Sequence, residues 1–307
     1  PSQLTHDGKI LVEIAVAPSS SATITIATGL PKSYVNTCYG RMYPERVDDI
    51  AWENDRGAYR CYGPALQASG EQAFGNDVWV KNTPDLVVES RYHNELVNKL
   101  SYHVDRGYGL DCYKVGPTLG CGTPAIIEGD NIRFPYCWTA YEILDNGPLR
   151  FTVRLDYGAN GEHRILSLDK GSNFNKMTVW YDAITTPVDV ASGVVIHTED
   201  TESVVLGKDY VQYADPTDNP KAQNFQIYVA AIFPDGVDAT RKVMYQNPVR
   251  GNAGHALGIK KGLQPNEKFT YYFGSSWSKY DCRNQKEWQM RIDNFKLALA
   301  QPLEIIL

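Results

Sequence analysis

The sequence predicts an all-β fold, because strand and turn signals dominate it and helical patterns are few. Short stretches of alternating apolar and polar residues recur, and Gly and Pro separate them at short intervals, as in a sandwich or barrel. The chain of 307 residues is 43% hydrophobic, enough for a sizeable core. Since it shows no internal repeat, low-complexity tract or linker, we expect a single domain over residues 1–307.

Residues 149–157 give the clearest strand signal. Odd positions from Leu149 to Leu155 are apolar, whereas even positions from Arg150 to Asp156 are polar. One face therefore packs inward, and the other could line a polar groove. The same reasoning predicts strands at 9–28 (two strands around a Ser-rich turn), 86–89, 163–168, 176–182, 193–198, 225–233 and 268–274.

Helical periodicity is confined to two segments. Residues 91–100 predict a short helix, and residues 284–299 predict a longer one near the C-terminus. In the second segment Trp288, Ile292 and Phe295 recur at helical spacing with charged residues between them. We expect this helix to pack on the outside of the β-structure or to close one end of it.

Composition excludes several classes of function. The formal net charge of −6 disfavours non-specific nucleic-acid binding, which needs a positive surface. No apolar run approaches the ~18 residues of a membrane-spanning helix. The 20 Tyr and 6 Trp residues suit sugar stacking, although Tyr-rich strands are more often simply β-structure.

The cysteines and the first residues bear on the cellular compartment. None of the six Cys residues forms a CxxC pair or a zinc-site spacing, and we favour free thiols over disulfides. Bridges between Cys112 and Cys121 or between Cys38 and Cys61 stay open alternatives. The chain begins at Pro1 without a signal sequence; a removed signal peptide is one explanation, and we expect a periplasmic or extracellular location.

Residues 41–66 form the first candidate binding stretch. Trp52, Glu53, Asp55, Arg56 and Arg60 stand among further charges and tyrosines. Acidic side chains can accept hydrogen bonds from sugar hydroxyls, Arg can clamp a carboxylate, and Trp can stack on a sugar ring. The alternative is a solvated loop with local ion pairs.

Residues 102–124 form the second candidate stretch. His103, Asp105, Asp111, Tyr113 and Lys114 lie among five glycines, in a loop that could approach a ligand closely. The spacing fits neither GxGxxG nor a P-loop, so we exclude a nucleotide site. His103 and Asp105 share one side of an extended backbone, which makes His103 a candidate acid–base group.

Other motifs give weaker signals. Trp277 follows a predicted strand and could be a sugar platform or a core residue, and His255 lies in a Gly-rich turn. Residues 197–202 and 215–219 could bind Ca²⁺, but acidic surface loops are the favoured interpretation, and no cofactor or metal is predicted. Serine-hydrolase, cysteine-protease and zinc-hydrolase motifs are absent, which leaves carboxylate, His, Tyr and Arg chemistry.

Three segments carry a resemblance to a known family. The sequences of 41–66, 102–122 and 141–157, with WENDR and LDxY as their most specific parts, resemble a family of uncharacterised secreted bacterial proteins known as a domain of unknown function. The strand from Asp145 onward is similar to one in galactose-mutarotase-like proteins. The resemblance implies a large antiparallel β-supersandwich, export, and a role in the breakdown of polysaccharides.

The leading hypothesis is a carbohydrate-active enzyme acting on acidic glycans or their oligosaccharides. As a uronate lyase, Arg60 or Arg150 would neutralise the substrate carboxylate, His103 or Tyr113 would remove a proton, and a Tyr or Lys114 would protonate the leaving oxygen. As a glycoside hydrolase, it would pair Glu53 or Asp55 with Asp105 or Asp111, about 5 to 10 Å apart.

Two further alternatives stay open. The same side chains could serve a sugar epimerase, or a carbohydrate-binding protein without catalysis. The sequence selects neither the glycan nor its linkage.

Overall fold

An antiparallel sheet of eight strands is the largest element of the structure, a computed structural model that describes residues 1–27, 29–30, 32–218 and 224–306. Its neighbours follow the order β10-β11-β12-β13-β20-β17-β16-β15. The strands are β10 (Trp138–Asn146), β11 (Arg150–Tyr157), β12 (Glu162–Asp169), β13 (Phe174–Tyr181), β15 (Val204–Leu206), β16 (Tyr210–Asp215), β17 (Ile227–Ile232) and β20 (Phe269–Trp277).

Two sheets of five strands and one short hairpin complete the β-structure. The first five-stranded sheet follows the order β3-β4-β5-β6-β7 and the second follows β18-β19-β14-β8-β9. The first contains β3 (Tyr39–Tyr43), β4 (Asp49–Glu53), β5 (Ala58–Cys61), β6 (Asp77–Lys81) and β7 (Gly109–Asp111). The second contains β8 (Ala125–Glu128), β9 (Asn131–Arg133), β14 (Val188–His197), β18 (Ala239–Val249) and β19 (Asn252–Leu263), and the hairpin pairs β1 (Ser2–Leu4) with β2 (Ile10–Val12).

One hydrophobic core joins the three larger sheets. Apolar side chains of β11 to β13, β16, β17 and β20 meet those of β4 to β7 and of β14. The predicted apolar face of β11 lies in this core, where Phe151 and Val153 are fully buried. The two smaller sheets are linked around Leu119–Cys121, where Gly120 bridges to Asn76 and Cys121 bridges to Val194.

The described residues contain three α-helices: α1 (Pro64–Ala68), α2 (Val88–Leu96) and α3 (Gln285–Ala300). The side chain of Asn284 caps α3 by accepting a hydrogen bond from the Glu287 N–H. Trp288 and Ile292 bury the apolar stripe of α3 against Phe174 and its neighbours on the eight-stranded sheet. Within the described ranges, no helix is long and apolar enough to cross a membrane.

The predicted all-β class, with few helices and one of them near the C-terminus, is confirmed. Two local predictions are wrong. Of residues 9–27, the described part of the predicted 9–28 segment, only β2 is a strand, and it pairs with the N-terminal β1 instead of with a second strand after the Ser-rich turn; residue 28 lies outside the described ranges. Residues 86–89 lead into α2, because the N–H groups of Val87 and Val88 bind the Glu53 carboxylate there.

The β18–β19 hairpin was not predicted from the sequence, although it contains two of the longest strands. All six cysteines are free thiols, five of them buried, as the sequence analysis favoured.

Candidate functional site

The sheet β3–β7 has one apolar face and one charged face. Ile50, Trp52, Tyr59 and Val78 alternate onto the face that joins the main core. The opposite face carries charged side chains from four neighbouring strands, under α2 and a group of aromatic rings. These charged residues are Asp49, Glu53, Arg60, Asp77, Lys81 and Asp111. Burying so many charges requires that they pair with one another.

The first group on this face is the Glu53–Lys81 pair. Lys81 Nζ lies 2.7 Å from Glu53 Oε2 and donates to the Asn54 carbonyl at 2.6 Å. Glu53 Oε1 accepts the N–H groups of Val87 and Val88 at the start of α2. Both side chains are almost inaccessible to solvent. The pair therefore anchors α2 to the sheet, and the predicted sugar contact of Glu53 is corrected to a structural role.

The second group is the Arg60 cluster, which we define as Arg60, Asp77, Asp111, Asp49 and Tyr102. Arg60 Nη2 donates to Asp77 Oδ2 at 2.6 Å and to Asp111 Oδ2 at 2.9 Å. Arg60 Nη1 lies 3.5 Å from Asp49 Oδ2 and donates to the Tyr102 hydroxyl at 3.3 Å. One buried guanidinium thus holds three carboxylates and a phenol together.

Three carboxylates cannot all ionise easily beside one guanidinium. Burial, together with the negative charge of Asp77, raises the pKa of Asp111 well above its usual range. Burial also raises the pKa of Asp49 to about 6, against the opposing effects of Arg60 and Arg46. Asp77 Oδ2 accepts from Arg60 and from Trp79 Nε1. The raised pKa favours the protonated form of Asp111, and Asp77 makes the shorter of the two contacts with Arg60 Nη2.

The cluster reaches the surface at His103, which lies next to the buried Tyr102. The two rings lie 4.7 Å apart, and about half of the His103 side chain is exposed. His103 Nδ1 lies 3.0 Å from the main-chain oxygen of Asp111. Because a carbonyl only accepts, Nδ1 carries the proton and Nε2 of the neutral ring keeps its lone pair. His103 therefore presents a proton acceptor next to the Arg60 cluster.

The structure brings together three of the predicted site residues: Arg60, Asp111 and His103. Asp105 lies in the same loop as His103, but its carboxylate binds groups outside the Arg60 cluster. Its carboxylate accepts the N–H groups of Gly107 and Gly109 and binds Lys279. Burial acts to raise the pKa of Asp105, and these hydrogen bonds outweigh it and lower the pKa. Asp105 shapes the loop that carries His103.

The predicted aromatic platforms lie in the interior. Trp52 is fully buried, stacks on Tyr59 and Phe151, and donates from Nε1 to Asn175. Trp277 is 2% exposed and donates from Nε1 to the Asn224 carbonyl. Neither indole has a free ring face, so their predicted role as sugar platforms is corrected to core packing.

Three other predicted binding residues lie away from the cluster, in pairs of their own. Asp55 accepts the Gly171 N–H at 2.6 Å, and Arg56 lies 3.4 Å from Asp281. Arg150 makes a two-pronged ion pair with Asp169 at 2.5 and 2.7 Å. These contacts tie the β4–β5 turn and β11 to their neighbours.

Tyr113 and Lys114 belong to a second polar group, around His197. His197 Nε2 lies 2.9 Å from the Lys114 carbonyl, and His197 Nδ1 lies 3.0 Å from Asp215 Oδ2. The Tyr113 ring is 6.1 Å from the His197 ring. Its hydroxyl is buried, without a hydrogen-bond partner among the described residues. The predicted use of Tyr113 as a base is therefore corrected, because the phenol is closed off from solvent.

Asp77 was missed by the sequence analysis, whereas Arg46 and Tyr102 lie inside the two candidate stretches 41–66 and 102–124 but were given no role there. Tyr102 accepts hydrogen bonds from both Arg46 and Arg60. A signal for Asp77 does exist, since Asp77, Trp79 and Lys81 alternate with valines in one short strand. Two charges facing the same way inside such a strand indicate a buried polar face.

Neither a metal site nor a cavity coincides with the predicted site residues in the part of the chain that the structure describes. Across the described ranges, no group of three or more His, Cys, Asp or Glu side chains is arranged to hold a metal ion. Of the two segments considered for Ca²⁺, residue 219 lies outside those ranges. Pockets of about 460 and 270 Å³ flank the β8–β9 hairpin, and none of the predicted site residues lines them.

Comparisons with known proteins identify a family. A family model described as a domain of unknown function, DUF4861, matches residues 1–305. An uncharacterized protein, P7, of Formosa agariphila is 28% identical over 287 residues, or 87% of this chain and 69% of that protein. The crystal structure of YidC from Thermotoga maritima is 10% identical with a TM-score of 0.34, over 82% of this chain and 55% of that one. The chain thus spans about half the length of that solved structure.

Proposed function

This chain belongs to the DUF4861 family, and we propose that it is a carbohydrate-active enzyme that cleaves a glycan by acid–base catalysis at His103. The observation that carries the proposal is the hydrogen bond from His103 Nδ1 to the Asp111 carbonyl, which leaves Nε2 as a base on a half-exposed ring. His103 is thus a base held in one tautomer. It lies next to the buried acid Asp111 and to Tyr102, whose hydroxyl accepts from two arginines, and such surroundings suit proton transfer.

Elimination suits these residues best. Such a lyase needs a base, an acid and a group that stabilises the carbanion-like intermediate, and no nucleophile. Hydrolysis by two carboxylates would require both to reach the sugar, whereas Glu53 and Asp111 are buried. Asp55 and Asp105 are only partly buried, which keeps hydrolysis as the second candidate.

The proposed elimination begins with the removal of a proton from the sugar. His103 Nε2 takes the proton at the carbon next to the carboxyl group of an acidic sugar. The electrons of that C–H bond form a C=C double bond, and the neighbouring C–O bond breaks toward the oxygen. A water molecule gives a proton to this leaving oxygen, because the Tyr102 side chain is buried. Water then takes the proton from His103, so that the ring returns to its starting form.

Two finer expectations belong to the same proposal. We keep the galactose-mutarotase-like arrangement, on the support of one eight-stranded antiparallel sheet packed against smaller ones. A polymeric glycan as substrate also favours a periplasmic or extracellular location. Fractionation of the native host with an antibody to the chain tests that location, and a cytoplasmic pool would contradict it.

The test is a panel of acidic polysaccharides and their oligosaccharides, followed by absorbance of the unsaturated product and by reducing ends. We expect both signals to rise with the wild-type protein. His103→Gln should lower the rate by about 10²- to 10⁴-fold, the usual contribution of a general base. His93→Gln is the matched control, because His93 is an exposed residue of α2.

The other outcomes separate the alternatives. Reducing ends without absorbance would replace the lyase by a hydrolase. Binding of a glycan without any product would leave a binding protein and contradict catalysis, and interconversion of sugar epimers would favour the epimerase. An unchanged rate in His103→Gln would remove His103 from the mechanism.

A further inference from the structure

We propose that Arg46 binds an oxyanion on the sugar ligand, so that the site takes acidic sugars through this residue. The inference rests on the proposed function only in taking a sugar as the ligand. It assigns the group that recognises the acid, for which the sequence suggested Arg60 or Arg150.

Neither of those two arginines is available. Arg60 has its Nε and Nη2 on Asp77 and shares Nη2 with Asp111, and its side chain is only 5% exposed. Arg150 uses Nε and Nη2 on the two oxygens of Asp169. The charge of each of these guanidiniums is therefore already balanced by a carboxylate of the protein, which weakens its attraction for a carboxylate of the ligand.

Arg46 differs from both. Its Nε and Nη2 donate to the Tyr102 hydroxyl at 3.2 and 3.0 Å, and among the described side chains it makes no ion pair. A phenol neutralises no charge, so the half-buried guanidinium keeps its positive charge for a ligand. The nearby carboxylate of Asp49 is turned to other partners, Arg60 and the Tyr92 hydroxyl.

The backbone next to Arg46 is strained. Val47 and Asp48 have φ values of 47° and 64°, in the left-handed region that non-glycine residues rarely adopt, least of all a β-branched one. The turn packs so closely on Gly63 that a Cβ there would lie 2.1 Å from the Asp48 oxygen. Strain of this kind persists where the surroundings hold it, and it clusters at ligand sites.

Arg46 and His103 lie on either side of Tyr102. Tyr102 connects them, because its hydroxyl contacts Arg46 and its ring lies beside the His103 ring. A sugar that offers a proton to His103 would therefore find a guanidinium within one side chain's length. The shared chemistry of carboxylated and sulfated sugars is the oxyanion, which Arg binds with paired N–H donors.

The experiment measures binding by calorimetry with the full chain. The probes are uronate trisaccharides of several sugars, the same trisaccharides with their carboxyl groups reduced to alcohols, and sulfated trisaccharides. The variants are Arg46→Met and Arg46→Lys, with Arg106→Met as the charge-matched control on the exposed loop beside His103. Thermal unfolding of each variant reports whether it is folded.

We expect the acidic probes to bind and the reduced ones to bind at least tenfold more weakly. Arg46→Met should weaken acidic binding by about 10- to 100-fold, and Arg46→Lys by less, because a lysine keeps the charge without the paired donors. Arg106→Met should stay within about twofold. Preference for the uronate or the sulfated set identifies the oxyanion.

Several results would overturn the inference. Equal affinity for acidic and reduced probes, unchanged affinity in both folded Arg46 variants, or no binding to any probe would each do so. The proposed function can fail separately. If acidic probes bind in a way that depends on Arg46 but no product forms, catalysis is contradicted and the role of Arg46 is not. Cleavage of a neutral glycan that depends on His103 contradicts the role of Arg46 and the elimination step, and it leaves catalysis at His103 standing.

Discussion

Two groups of buried charges share one face of the sheet β3–β7, and they differ in how completely they are satisfied. The Glu53–Lys81 pair is closed: Glu53 accepts from Lys81 and two backbone N–H groups, and Lys81 also has a carbonyl. The Arg60 cluster is open. Asp49 Oδ1 has no hydrogen-bond partner among the described residues, and Asp111 has a raised pKa.

This difference indicates which part of the charged face of the sheet β3–β7 can take part in proton transfer. In the closed pair the two charged groups and the backbone satisfy one another's hydrogen bonds, so the pair serves the fold. A cluster with more carboxylates than cations holds a proton that it can release, and this one adjoins the exposed ring of His103. Strand register brings both groups to the same face, and only position relative to α2 and the surface separates their roles.

The largest expected effect comes from breaking the closed pair. Lys81→Met leaves the Glu53 carboxylate buried without its cation, which should cost about 3 to 5 kcal/mol of unfolding free energy. Urea unfolding at neutral pH measures it, and Lys176→Met, on the exposed side of β13, is the control. A loss below about 1 kcal/mol would mean that the N–H groups of α2 satisfy Glu53 without Lys81.

The next effect is a pH dependence of the open cluster. The pKa of Asp49 rises to about 6 in the folded state, from about 3.9 when unfolded. A raised carboxyl pKa stabilises the fold fully below the unfolded value, and this contribution is lost as pH rises to about 6. Wild-type protein should lose about 2 to 3 kcal/mol through this group across that window.

Asp49→Asn should remove that part of the loss, since the amide does not titrate. Urea unfolding at about pH 4 and about pH 7 gives the comparison. Asp235→Asn, at an exposed position, should keep the wild-type dependence. Identical pH profiles for Asp49→Asn and the wild type would show that Asp49 is ionised throughout the range.

The smallest effect distinguishes the two carboxyl groups on Arg60. Asp111→Asn keeps an oxygen that accepts from Arg60 at a position where the carboxyl pKa is already raised, so it should change stability by less than about 1 kcal/mol. Asp77→Asn removes the carboxylate that accepts from two donors of Arg60 and should cost more, about 2 kcal/mol. Equal losses in the two variants, measured by urea unfolding at neutral pH, would contradict this division of roles.

Local patterns predicted much of the fold and less of the site. The alternation in 149–157 and the periodicity in 284–299 are properties of single segments, and both elements form where they were expected. The strand expected at 86–89 failed because the N–H groups of Val87 and Val88 bind Glu53, which lies more than thirty residues away in sequence. No local pattern contains that contact.

Patterns within single segments predicted the all-β class, the C-terminal helix and the two charge-rich stretches that contain Arg60, Asp111 and His103. These follow from side-chain alternation and residue type, which are fixed within a few positions. The burial of Trp52 and Trp277 and the ion pairs of Arg60 and Arg150 became visible in the packed structure and in no single segment. The packed structure also brings Arg46 and Tyr102 together beside His103. Burial and partner choice depend on how distant strands come together, and that information is shared among segments instead of lying in any one of them.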